Sequence, residues 1–247
     1  MRVLILGGTG EARSLAAGLI DRPGFAITSS LAGRVRDPAL PVGDVRIGGF
    51  GGVDGLVTYL RDQQIAAVVD ATHPFAATMS AHAAQAAGRS GVPLLVLRRP
   101  GWTEEPGDDW HRVPDIASAA AAAAAAPPGC VFVTTGRRDL AAFAADGSHR
   151  HLVRTVDPPA APLPRRMSLV LDRGPYTVEG EGALMDEHGV VLLVTKDSGG
   201  PMTRAKTVAA RERRIPVVVV DRPPLPPGVP VVATVEAATA WLDSVAG

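Results

Sequence analysis

Two glycine-rich turns, one near each end of the chain, restrict its fold more than any other feature. The first is Leu4-Ile5-Leu6-Gly7-Gly8-Thr9-Gly10-Glu11-Ala12, and the second is Val194-Thr195-Lys196-Asp197-Ser198-Gly199-Gly200. Each follows an apolar run that reads as a buried strand and precedes a helix-like stretch. Such a turn offers backbone N–H groups and the positive end of a helix to an anion. Two of them in one chain predict two α/β units that bind one or two anionic ligands.

The segments around the first turn alternate in period. Residues 3–6, 25–28, 45–47, 66–71 and 92–97 are short β-rich runs. Between them, 11–20 and 53–64 place apolar residues at helical spacing, and 74–88 is an alanine-rich helix with Pro74 near its first turn. Continuous apolar strands alternating with helices indicate a parallel sheet covered on both faces. A Pro/Gly-rich, charged stretch at 98–109 reads as a linker. Beyond it, Asp115 caps an alanine tract at 119–126 that reads as a surface helix. Residues 131–134, 190–195 and 217–220 are strands, and 203–214 is a helix. Residues 147–188 give no clear period, and the tail offers a short strand at 231–232 and a helix at 236–245, which the proline-rich spacer at 223–230 leaves free to return to either domain. The linear division is 1–100 for an N-terminal α/β domain and 101–247 for a C-terminal one.

The chain has 247 residues, 46% of them hydrophobic, enough for a substantial core. Lys and Arg number 25, as do Asp and Glu, so no broad basic surface is available for nucleic acid. The single cysteine, Cys130, opens an apolar run and reads as a buried small hydrophobe. No signal peptide fits the start and no run approaches the ~20 apolar residues of a membrane span. A cytoplasmic protein without membrane or nucleic-acid partners is expected.

Gly8 and Gly10 match the first two glycines of G-x-G-x-x-G, but Arg13 holds the third position. Gly7, Gly8, Thr9, Gly10 and Glu11 therefore still suit a diphosphate. At the end of the second strand, where NAD sites usually carry Asp or Glu, stand Ser29 and Ser30, followed by Arg34. That set favours the 2′-phosphate of NADPH over NADH. Asp70-Ala71-Thr72-His73-Pro74-Phe75-Ala76 follows the apolar strand at 66–71, at the edge where open α/β sheets bind ligands. Thr72 joins the cofactor set, and His73 reads equally as a proton donor or as a cap on the next helix. Thr135, Gly136, Arg137 and Arg138 follow one strand of the second half. Lys196, Ser198, Gly199 and Gly200 follow another, and Arg204 and Lys206 open the next helix. Together they are expected to surround a polyanion. No metal site is expected, because His149 and His151 lack a third ligand in the sequence. Neither Tyr59 nor Tyr176 has a lysine four residues on, so the Tyr-x-x-x-Lys pair of short-chain dehydrogenases is missing.

Gly7-Gly8-Thr9-x-Glu11, Asp70 through Ala76, Leu97-Arg98-Arg99-Pro100, Thr134-Thr135-Gly136 and Lys196 through Gly200 occur in this order. The combination resembles the precorrin-6A reductase family of cobalamin biosynthesis over residues 3–223. The Asp-Ala-Thr-His-Pro-Phe block is its most diagnostic part. Val96 stands where many relatives carry tyrosine. The resemblance implies two Rossmann-like α/β domains with mainly parallel sheets, a cleft between them and strands exchanged between domains. It further implies NADPH-dependent reduction of one carbon–carbon double bond of precorrin-6A, giving precorrin-6B. A tetrapyrrole substrate with many carboxylates fits the cations gathered in the second half. The protein partners it suggests are neighbouring enzymes of the pathway. The proton donor is left among His73, Lys196, a water and the substrate itself, and the substrate is metal-free or already carries cobalt. A non-catalytic dinucleotide-binding redox sensor is the alternative reading.

Overall fold

The computed structural model describes residues 1–33 and 40–247. In chain order the elements are β1 (Arg2–Leu6), α1 (Gly10–Leu19), β2 (Ala26–Leu31), β3 (Asp44–Ile47), α2 (Gly52–Asp62), β4 (Ala67–Asp70), α3 (Ala77–Ser90) and β5 (Leu94–Leu97). There follow β6 (Trp110–Val113), α4 (Ile116–Ala124), β7 (Cys130–Val133), a 3-10 turn (Leu140–Phe143), β8 (Arg150–Thr155), β9 (Met167–Leu171) and α5 (Val178–His188). The chain closes with β10 (Val190–Lys196), α6 (Ala205–Glu212), β11 (Val217–Val220), β12 (Val231–Val232) and α7 (Val235–Ala246).

Two compact units result, residues 1–100 with 223–247 and residues 101–222. The linear assignment of 101–247 to the second domain is therefore corrected at its far end, because the tail belongs to the first unit. Apolar burial explains its return. Ala238 and Leu242 of α7 are fully buried in one cluster with Val3, Ile5, Leu15 and Leu19.

The sheet of the first unit has the order β12-β5-β4-β1-β2-β3, with every pairing parallel. On β1, Val3 and Ile5 face α1 and α7, while Leu4 and Leu6 face Leu56 and Leu60 of α2 and Ala83 and Ala86 of α3. The strands are apolar on both faces because helices cover both. The second sheet has the order β6-β11-β10-β7-β8-β9, again all parallel. Cys130, Phe132, Leu193 and Val219 pack there against Met185 of α5 and Ala209 and Ala210 of α6. Apart from the outermost strand the two orders are the same. That strand is β12 beside β5 in the first sheet and β6 beside β11 in the second. Each sheet thus takes as its edge the strand that follows the other sheet's fifth strand in sequence, which is the expected exchange.

Local chemistry sets the helix starts. Thr9, Asp115, Thr177 and Thr234 each accept a hydrogen bond from the third amide beyond them. Pro74 is not in the first turn of α3. It sits in a preceding tight turn in which the Ala76 amide donates to the His73 carbonyl at 2.7 Å, and the helix begins at Ala77. The alanine tract is only partly a surface helix, since Ala119 and Ala123 are buried.

Two glycines in helices of the first unit provide a packing test. Gly18 lies on the exposed face of α1 with nothing near an added Cβ, whereas a Cβ on Gly55 of α2 would overlap the Phe50 carbonyl oxygen. Gly18→Ala should stabilise the protein by about 0.5–1 kcal/mol. Gly55→Ala should destabilise it by about 1–3 kcal/mol, because Phe50 must move. Chemical denaturation of both variants measures the difference, and equal midpoints would refute this account of α2.

Candidate functional site

The ends of β1 and β4 are neighbours in the first sheet, and the chain leaves them in opposite directions, so their loops part. The glycine turn fills this place. The Gly7 amide donates to the Ser30 carbonyl at 2.9 Å, which seats the turn beside β2. Gly8 has φ +114, a backbone conformation that side chains rarely adopt, and a Cβ there would meet no atom within 4 Å. The backbone is therefore exposed to an approaching ligand at Gly8. The Thr9 hydroxyl accepts from the Ala12 amide at 3.1 Å and donates to the Ala71 carbonyl at 2.8 Å. One buried side chain thus caps α1 and ties the two parting loops together. Glu11, in the first turn of α1, is paired with Arg99 at 2.8 Å.

On the β4 side, Asp70 Oδ1 accepts from the Thr72 amide at 3.1 Å and from the Thr72 hydroxyl at 2.7 Å. Asp70 Oδ2 is buried with no hydrogen-bond partner among the described residues. His73 is exposed, and its Nδ1 accepts from the Phe75 amide at 3.3 Å. The cap on the next helix expected of His73 is not made, because α3 has no side-chain cap and the ring instead accepts within the preceding turn. The ring stays near the end of β4, where the proton-donor role would place it. Ser29 is buried with its hydroxyl unpartnered among the described residues, and Ser30 Oγ accepts from Arg46 Nη1 at 3.0 Å. Arg34 lies outside the described residues. Arg46 went unnoticed in the sequence, although a cation between Val45 and Ile47 in a strand was a usable signal.

The second sheet repeats this arrangement between β7 and β10. The Thr134 amide and hydroxyl both donate to the Val194 carbonyl, at 2.9 and 3.2 Å. Thr135 is buried with its hydroxyl unpartnered among the described residues, and Gly136 has φ +100. Arg137 and Arg138 lie beside a groove of about 280 Å³ walled by Ala141, Pro158, Ala160, Ala161 and Pro162. Arg137 also sits 3.7 Å from Asp157. After β10, Lys196 is held by Asp139 at 2.6 Å. Asp197 is the anchor of its loop. Its carboxylate accepts from the Trp102 amide at 2.9 Å and from Arg112 at 3.0 Å, and its carbonyl accepts from Arg222 at 2.8 Å. The Trp102 indole donates to the Gly200 carbonyl at 2.9 Å, and Gly199 and Gly200 both have positive φ. Trp102 thus packs and anchors this loop.

Two members of the expected polyanion set are engaged otherwise. Arg204 bonds to Glu105 and to the Thr103 carbonyl. Lys206 is a correction. Its side chain is buried, donates to the Thr203 carbonyl at 2.8 Å and lies 5.1 Å from the Trp102 ring centroid. Burial removes Lys206 from the substrate-binding set. Near it lies a pair that the sequence did not reveal, Arg154 with Glu181 at 2.6 Å, both buried, with the guanidinium 3.7 Å above the Tyr176 ring. His149 and His151 both lie against Asp146, and no group of three or more metal-ligating side chains able to hold an ion occurs among the described residues. None of the described helices is long and apolar enough to cross a membrane.

The family model described as precorrin-6x reductase CbiJ/CobK matches residues 2–243. The chain is 53% identical to the precorrin-6A reductase of Rhodococcus erythropolis over 243 residues, 98% of each chain. It is 28% identical to the cobalt-precorrin-6A reductase of Priestia megaterium, over 90% of each chain. A solved structure titled CobK precorrin-6A reductase has a TM-score of 0.91 at 44% identity, covering 99% of this chain and 97% of that one.

The buried Lys206 gives stability a predictable pH dependence. Burial, then repulsion from Arg154, outweighs attraction by Glu181 and pushes the ammonium pKa down from 10.5 to about 7. Between these values the unfolded chain binds more protons than the folded one, so this group's contribution to stability rises with pH. Below about 7 the charge stays on the buried lysine and its cost is largest. Lys206→Met should therefore raise the melting temperature most near pH 6, with the gain shrinking towards pH 10. A gain independent of pH would show that the buried charge is not its source.

Proposed function

This chain belongs to the precorrin-6x reductase family of cobalamin biosynthesis, and from that membership we propose that it reduces one carbon–carbon double bond of metal-free precorrin-6A with NADPH, giving precorrin-6B. The observation that carries the cofactor assignment is the open Gly8 turn at the parting of the β1 and β4 loops, with an unhindered backbone approach. The residues fit a dinucleotide. Gly7, Gly8, Thr9 and Gly10 would hold the diphosphate at the start of α1, with Glu11 fixed by Arg99. Ser29 and Ser30, near the end of β2, would face the ribose. Thr72, turned by its bond to Asp70, stands at the end of β4. The metal-free form is preferred because relatives named for it are 42–53% identical to this chain, whereas those named for the cobalt form are 27–29% identical.

When bound, NADPH would supply the hydride for one carbon of the double bond, and the other carbon would need a proton delivered to it. The protein's task is to orient and to complement charge. Arg137 and Arg138 beside their groove, together with Lys196, match the substrate's carboxylates in charge. His73 at the end of β4 and Lys196 at the end of β10 are the proton-donor candidates among the side chains.

An anaerobic assay with precorrin-6A and NADPH tests the reading. Nicotinamide absorbance and the macrocycle spectrum should change together and in equal amounts. Turnover of cobalt-precorrin-6A alone would overturn the metal-free assignment, and oxidation of neither would overturn the reaction. Gly8→Val places a branched side chain at φ +114, where the diphosphate would approach, and should raise the NADPH dissociation constant about tenfold or more. Arg138→Ala and Lys196→Ala should raise the KM for the tetrapyrrole more than the KM for NADPH. Equal effects on both would refute this division between the two units.

A further inference from the structure

Arg46 closes the strand pair β2–β3, where Ser30 and Arg46 are ladder partners and so share a face of the sheet. Its guanidinium lies 3.8 Å from the Phe50 ring centroid and 5.2 Å from that of Tyr59, and these two rings meet edge to face at 5.2 Å. Nη1 donates to Ser30 Oγ at 3.0 Å and to the Gly48 carbonyl at 2.8 Å, and Nη2 donates to the Gly49 carbonyl at 3.0 Å. The side chain is thereby locked in one orientation, half-buried, against an aromatic platform of Phe50, just before α2, and Tyr59, in its second half.

In the same unit, Arg22, Arg61, Arg89 and Arg99 each pair with a carboxylate. All three acceptors of Arg46 are neutral, and no carboxylate pairs with it among the described residues. These bonds occupy three of the five guanidinium N–H groups, leaving Nε–H and one hydrogen on Nη2. A preorganised cation with spare donors and no carboxylate partner among the described residues suits an anion from outside the protein.

Its position identifies the anion. Ser30 links Arg46 to the glycine turn, accepting at its hydroxyl from Arg46 and at its carbonyl from the Gly7 amide. In dinucleotide folds the end of the second strand reads the adenosine ribose, with an acidic residue for a 2′-hydroxyl and an arginine for a 2′-phosphate. Here β2 ends in Ser29-Ser30-Leu31. We infer that Arg46 is a specificity-determining residue that favours NADPH over NADH by pairing with the 2′-phosphate, with Ser30 holding it in place. The inference rests on the dinucleotide reading of the glycine turn and goes beyond it by adding Arg46, on the neighbouring strand, to the Ser29, Ser30 and Arg34 set that the sequence offered.

The test is a set of dissociation constants for NADPH, NADH and 2′,5′-ADP, measured by titration of the whole protein and of Arg46→Ala, Arg46→Gln and Ser30→Ala. Wild-type protein should prefer NADPH. Arg46→Ala should weaken NADPH and 2′,5′-ADP by about 10- to 100-fold, while NADH changes less than about twofold. Ser30→Ala should shift NADPH in the same direction by a smaller factor. Arg46→Gln, which retains a donor towards the Gly48 and Gly49 carbonyls, should reproduce the selective loss if Arg46→Ala disturbs folding. Equal loss for NADPH and NADH, or no loss for either, would overturn the role of Arg46. A wild-type protein that binds neither dinucleotide, or has no preference for NADPH, would instead overturn the cofactor reading itself and with it this inference.

Discussion

Both sheets are parallel throughout, and a strand reaches a parallel neighbour only through a crossover. Much of the rest follows from this constraint. Crossover helices cover the sheet faces, so the central strands β1, β5, β7 and β11 are apolar along nearly their whole length. All strand carboxyl ends fall on one edge of each sheet, and the loops that leave that edge are where polar groups can gather. Where the strand order reverses, two adjacent loops part and leave their backbone accessible. The Thr9 hydroxyl is then decisive, because its bonds to the Ala12 amide and the Ala71 carbonyl fix both loops at once.

The same constraint bears on the return of the tail. β12 is only two residues long, and a few ladder hydrogen bonds at about 0.5–1.5 kcal/mol each would not by themselves recruit a chain end. Full burial of Leu242 alone is worth about 1.5–3 kcal/mol, and Ala238, Val235, Trp241 and Val245 pack in the same cluster. The amphipathic face of α7 therefore contributes more than the strand pairing, and β12 follows the helix onto the sheet.

The second unit keeps more charge inside than the first. Asp197 takes Trp102, Arg112 and Arg222, while Arg154 and Glu181 form an ion pair beneath Tyr176. Buried pairs are weak sources of net stability, but losing one partner is costly. Their consequence is geometric, since the loop carrying Ser198, Gly199 and Gly200 is held from several directions. In the first unit Arg46 is held by neutral acceptors and two aromatic rings.

The sequence alone determined the parallel α/β class, most strands of the first unit, the helix cap at Asp115, and the two glycine loops. These features are encoded by neighbouring residues: an apolar run, a capping carboxylate, a glycine with positive φ. It did not reveal β6, where only Val113 is buried, nor β8, where His151 and Arg154 interrupt the apolar pattern. It also misplaced the tail and left Lys206 among the ligand contacts. Tertiary structure alone decided those points. The partners that neutralise Arg154, bury Lys206, receive α7 and stack beneath Arg46 are distant or unpredictable in sequence, and a side chain's surroundings are fixed only when the sheets bring those partners together.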